Sequence, residues 1–121
     1  MRYRIVRRCY QWVFIAALCA IYLLAVLPSD SLPGIQLLDK LNHALAFFVL
    51  AALMTKAWPA VPMFSLRLGV LLVYGLFIEL SQLLLPYRDA SWQDMVANAT
   101  GLLLYALVHY ALCRWRHPAL F

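Results

Sequence analysis

Asp39, Lys40, His43, Glu79, Gln82, Arg88, Asp94 and Asn98 interrupt a sequence that is otherwise mostly hydrocarbon. An imidazole and a carboxylate such as His43 and Glu79 can act as an acid/base pair, and a guanidinium such as Arg88 can grip a phosphate through paired hydrogen bonds. The same groups can instead form a buried ion-pair or hydrogen-bond network that fixes how helices pack, and a histidine alone does not decide between the two. Asp39, His43, Glu79 and Asp94 are conceivable metal ligands, but no two-histidine or cysteine pattern accompanies them, so no metal is expected. Nothing in the sequence calls for a cofactor.

Spacing assigns these residues to helix faces. Asp39 and His43 are four apart, hence one above the other on one helical face. Glu79 and Gln82 are three apart and share a face about 9 Å before a helix end at Leu85, at a rise of about 1.5 Å per residue. Asp94, Asn98 and Gly101 repeat the pattern further on. Structural readings stand beside each stripe: Asp39 can cap its helix, Ser91 with Asp94 has capping-box spacing, Asn98 and Gln82 can bond between helices, and Gly101 can mark a close helix contact. A carboxylate in a lipid-facing helix, as Glu79 would be, is neutralised or needs a positive partner, for which Arg88 and His43 are the candidates.

The elements that must position these groups are membrane helices. The chain of 121 residues is 66% hydrophobic and 12% charged, against about 25% charged for a soluble domain. Runs with few or no charges occupy Cys9 to Leu27, Leu41 to Thr55, Leu68 to Tyr87 and Met95 to Cys113, each close to the ~20 residues a spanning helix needs. An all-α bundle of four transmembrane helices is expected, at about 9–27, 39–56, 67–86 and 92–113, in one membrane domain covering 1–121. Prolines and Gly34 punctuate the connections Pro28 to Gln36, Ala57 to Ser65 and Pro86 to Trp92. A signal peptide is the competing reading of the arginine-rich start, but no small-x-small cleavage site follows, so the first helix is expected to stay.

Charge distribution sets the expected orientation. With both termini cytoplasmic, eight Lys and Arg lie inside (Arg2, Arg4, Arg7, Arg8, Lys56, Arg67, Arg114 and Arg116) and two, Lys40 and Arg88, outside. The acids Asp30, Asp39, Glu79, Asp89 and Asp94 then fall in the outer half. The basic side faces anionic lipid, and nothing suggests nucleic acid. Cys9, Cys19 and Cys113 lie toward the cytoplasmic side, where thiols stay reduced, and read as packing or interfacial thiols; a nucleophile would need a base, and His43 is at the opposite face. His109 and His117 read as interfacial. Oligomeric state is not encoded in any recognisable feature.

Asp39-Lys40-Leu-Asn-His43, then Glu79-Leu-Ser-Gln82, then Arg88 followed by Asp94, Asn98 and Gly101 resemble the VanZ-like family of small membrane proteins. The resemblance covers about residues 15–112. Two departures are Ala44, where the family commonly has an aromatic, and the Tyr87-Arg88-Asp89 turn, which is only loosely similar. The resemblance implies a multi-pass protein of the bacterial cytoplasmic (inner) membrane, linked through the family's namesake to tolerance of the glycopeptide teicoplanin. Membrane lipids and lipid-linked cell-wall components are the implied partners.

Two functions follow as expectations. In the first, a non-catalytic protein binds or shields an envelope component in a polar outer-face pocket, with Lys40 and Arg88 on anionic groups. In the alternative, an intramembrane enzyme acts on a lipid-linked headgroup, with His43 as base, Glu79 as its partner and Arg88 as phosphate clamp. A proton path is a weaker third reading, because the inner half offers no matching relay.

Overall fold

A computed structural model describes residues 1–27, 36–59, 64–87 and 91–120. Arg88, Asp30 and Asp89 lie outside the described residues, and so do the expectations that rest on them. Among the described residues four helices make the fold: α1 Arg2–Val26, α2 Gln36–Ala57, α3 Phe64–Leu83 and α4 Trp92–Arg116, followed by a 3-10 turn, Pro118–Leu120. No strand occurs among the described residues.

Helices are what such a sequence must form where water is absent, because each backbone N–H and C=O then needs a partner within its own segment. The three prolines among the described residues, Pro59, Pro86 and Pro118, all fall outside the four helices. Trp58, just ahead of Pro59, is biased away from helical backbone, and its N–H makes the last helical bond of α2, to Met54 O at 3.0 Å. Before Pro86, α3 tightens into i→i+3 bonds, Leu84 N to Ser81 O and Leu85 N to Gln82 O.

Observed and expected bounds differ at both outer ends. α1 begins at Arg2 and α4 runs to Arg116, so both apolar segments continue as helix through their basic flanks. Long basic side chains can leave the hydrocarbon while their backbone stays helical. α1, the stretch Ser65–Leu83 of α3, and α4 are long and apolar enough to cross a membrane. α2 matches them in length, but Asp39, Lys40, Asn42 and His43 crowd its first turns and Lys56 its last. It lies along α4, whose Asp94 and Asn98 engage Lys40 and His43, while Asp39, Asn42 and Lys56 stay exposed.

Side-chain contacts fix the directions. Tyr74 donates to Leu18 O at 2.5 Å and Gln82 to Ala25 O at 3.0 Å, so α1 and α3 run parallel. Gln11 of α1 reaches Ala57 O at the end of α2 at 3.1 Å, so α2 runs the other way. Lys40 meets Asp94, and Phe48 packs edge-on against Tyr105 at 5.5 Å, so α4 runs parallel to α2. The topology is therefore up-down-up-down, with both termini at one end.

Polarity is reversed relative to a soluble bundle. Leu83, Leu84, Val73 and Leu103 face outward, whereas Glu79, Gln82, Asp94 and Asn98 are buried, Asn98 completely. Such exposed apolar area would be a liability in water and is ordinary against lipid. The apolar core includes Phe14, Phe47, Leu50, Leu71 and Ile78.

α2 and α4 approach closely at Gly101, where an added Cβ would collide with the backbone carbonyl of Ala44. At Gly69 it would meet nothing within 4 Å. Overpacking costs about 1–3 kcal/mol, occasionally more, and backbone cannot swing aside as a side chain can. Gly101→Ala should therefore lose folded protein in a detergent thermal-melt assay by at least that amount, with Gly69→Ala close to wild type. Equal melting of the two variants would contradict the close contact.

Candidate functional site

The polar end of the bundle gathers the first turns of α2 and α4. Because these helices are parallel, their positive N-terminal dipoles lie side by side, and each carries an acid in its first turn, Asp39 and Asp94. Asp39 therefore sits inside the first turn of α2, past the cap position suggested by its place in sequence. Its side chain is 57% exposed, whereas that of Asp94 is only 7% exposed.

Lys40 donates its ammonium to Asp94 Oδ1. With one partner buried and the other partly exposed, the pair lies between the ~0–1 kcal/mol of surface ion pairs and the several kcal/mol lost when one member of a buried pair is removed. Lys40 was expected to meet an anionic group of a ligand; an internal carboxylate engages it instead.

His43 occupies the centre. Its Nδ1–H donates to Asn98 Oδ1 at 3.2 Å, since a carbonyl oxygen can only accept. In the neutral ring this leaves a lone pair on Nε2, which faces Asp39 Oδ2 at 3.8 Å and Asp94 Oδ2 at 3.9 Å. Three acceptors thus converge, a conflict that a proton on Nε2 or a donor from outside relieves. Donor atoms of Asp39, His43 and Asp94 lie within 4.8 Å of one another, close enough for a metal ion. Lys40 already balances one of the two carboxylates.

Glu79 has a different task. The capping-box spacing of Ser91 and Asp94 is only half realised: Ser91 caps α4 by accepting from Gln93 N at 3.2 Å, but Asp94 turns to Lys40. The acceptor for the Ser91 N–H comes from another helix, Glu79 Oε2 at 3.1 Å. Glu79 thereby ties the end of α3 to the start of α4. No hydrogen bond or ion pair joins it to His43 among the described residues, so the acids beside the imidazole are Asp39 and Asp94 and not Glu79. Its other expected partner, Arg88, lies outside the described residues.

Gln82 bonds Ala25 O on α1 through Nε2, while its Oε1 is buried with no hydrogen-bond partner among the described residues. It lines a cavity of about 220 Å³ between α1, α2 and α3, together with Asp39, Asn42 and His43 and with apolar walls from Phe47 and Ile78. Asn42, part of the Asp39-Lys40-Leu-Asn-His43 run, carries no separate chemical signal in the sequence. The role of Ser91 was hidden because its backbone carries the bond to Glu79.

A second constellation was also missed. On α4, Tyr105 OH lies 3.5 Å from His109 Nδ1 and Cys113 Sγ 3.6 Å from His109 Nε2, at the basic end. Spacing of four and four on one helix was the available signal. The Tyr105 contact is at the outer limit of hydrogen bonding. Cys9 and Cys19 are exposed and Cys113 is half-buried.

The capping role of Glu79 makes a prediction. Glu79→Gln keeps an acceptor for the Ser91 N–H and avoids a buried charge, so its thermal stability in detergent should equal or exceed wild type. Glu79→Ala strands that N–H and should cost about 1–3 kcal/mol. Equal damage by both changes would show that the charge, and not the cap, is what matters.

No curated protein and no solved structure matches the chain significantly. A protein family does: VanZ/LLP1 aligns with residues 4–114, from the first turn of α1 to the last of α4. The chain belongs to the VanZ/LLP1 family.

Proposed function

We propose that this protein is a binder in the bacterial cytoplasmic membrane, with its termini inside and its polar end outside, and that it takes up the headgroup of a lipid-linked envelope component. The observation that carries this reading is the group of acceptors at the cavity: Asp39 Oδ2, His43 Nε2 and Gln82 Oε1 have no hydrogen-bond donor among the described residues. Asp94 Oδ2 faces the same imidazole. Such a site selects a ligand rich in donors, hydroxyl or ammonium groups, more than an anion. Sugar and amino-bearing parts of cell-wall precursors have that chemistry. Occupying them would shield them, which agrees with the teicoplanin tolerance associated with the family's namesake.

The clustering of basic residues at the other end supports the orientation. A second reading, catalysis on such a headgroup, draws support from the imidazole held by Asn98 with its free nitrogen toward two carboxylates. In that case His43 is the base and Asp39 and Asp94 stabilise its charged form.

His43→Asn separates these ideas from simple packing. An asparagine amide can still donate to Asn98, but it removes Nε2. In bacteria expressing the chain, folded membrane abundance should hold while teicoplanin protection falls to the level of cells without it. Unchanged protection at equal abundance would refute the site; loss of abundance would make His43 a packing residue.

A further inference from the structure

The end that carries both termini has the opposite electrostatics. Arg2, Arg4, Arg7, Arg8, Lys56, Arg67, Arg114 and Arg116 belong to it, and none of the three acids among the described residues does. Asp39, Glu79 and Asp94 are at the polar end, as the pairs above establish.

Between α1, α2 and α4 at this basic end opens a groove of about 460 Å³. Its walls include Val49 and Leu53 of α2 and Val108 and Leu112 of α4, and Lys56 and Arg116 also line it. These two cations are exposed, they stand in the last turns of two parallel helices, and neither makes an ion pair among the described residues. Apolar walls alone would accept any lipid chain, and cations alone any anion. Their combination along one groove selects a molecule that has both.

We infer that this groove is a binding site for an anionic phospholipid, with an acyl chain against the α2 and α4 walls and the phosphate between Lys56 and Arg116. The helix C-termini there oppose an anion, but the surrounding arginines outnumber them. A second copy of this chain is the wrong occupant, because copies inserted the same way would bring their basic ends together. The site is separate from the polar end and does not depend on which leaflet it occupies.

Native mass spectrometry of the purified full chain tests this, using detergent micelles with equimolar dioleoylphosphatidylglycerol and dioleoylphosphatidylcholine. Wild type should retain phosphatidylglycerol preferentially. Lys56→Gln/Arg116→Gln should lose that preference, about fivefold per cation. Arg2→Gln/Arg4→Gln, with the same charge change, should keep most of it. Val49→Trp, at a partly exposed wall position, should lower retention of both lipids without altering charge. No preference in wild type, equal loss in the two double variants, or displacement of phosphatidylglycerol by inorganic phosphate would each overturn the site.

Discussion

The close parallel contact of α2 with α4 is the constraint on which the rest depends. Gly101 lets the α4 backbone approach Ala44 O closer than any side chain would permit. That contact sets the register in which Lys40 meets Asp94 and His43 meets Asn98. Parallel pairing also aligns two helix N-termini at one end and two C-termini at the other. Acids at the first and bases at the second are the electrostatic complement of that arrangement. α1 and α3 then close the bundle through Tyr74 and Gln82, which bond backbone carbonyls of α1.

Much of this was legible in the sequence. Prolines and charges delimit the helices, and four-then-three spacing places Asp94, Asn98 and Gly101 on one face of α4. The gathering of Asp39, His43, Glu79 and Asp94 at one end follows from chain direction alone. What spacing cannot supply is which face meets which neighbour, since that depends on how each helix is rotated about its axis. Hence Lys40 reads as a ligand group although it is bound to Asp94, and Glu79 reads as a partner of His43 although it caps Ser91. Backbone partners such as Ser91 N–H have no residue-type signature. α1 and α4 extend beyond their apolar runs because helical backbone tolerates arginines that reach out of the hydrocarbon.

Buried polarity in such a bundle is costly wherever it is incompletely paired; among the described residues Gln82 Oε1 at the cavity, and Glu79 Oε1 and Asn98 Nδ2 away from its lining, have no hydrogen-bond partner. Asn98 is wholly buried and spends its carbonyl oxygen on orienting His43. Glu79 serves the chain turn between α3 and α4. Glu79, Lys40 and Asn98 each bond within the fold, while Asp39, His43 and Gln82 line the cavity. That division between groups that hold the fold and groups that line a cavity is what the proposed site rests on.

Which side of the membrane that end meets is the most direct test of the account. In a background with Cys9, Cys19 and Cys113 replaced by alanine, Asn42→Cys places a thiol at the lining of the cavity, and Arg4→Cys marks the opposite end. A membrane-impermeant maleimide applied to intact cells should label Asn42→Cys, while Arg4→Cys should react only after permeabilisation. Labelling of Asn42→Cys only after permeabilisation would turn the polar end to the cytoplasm and contradict a role in binding envelope components.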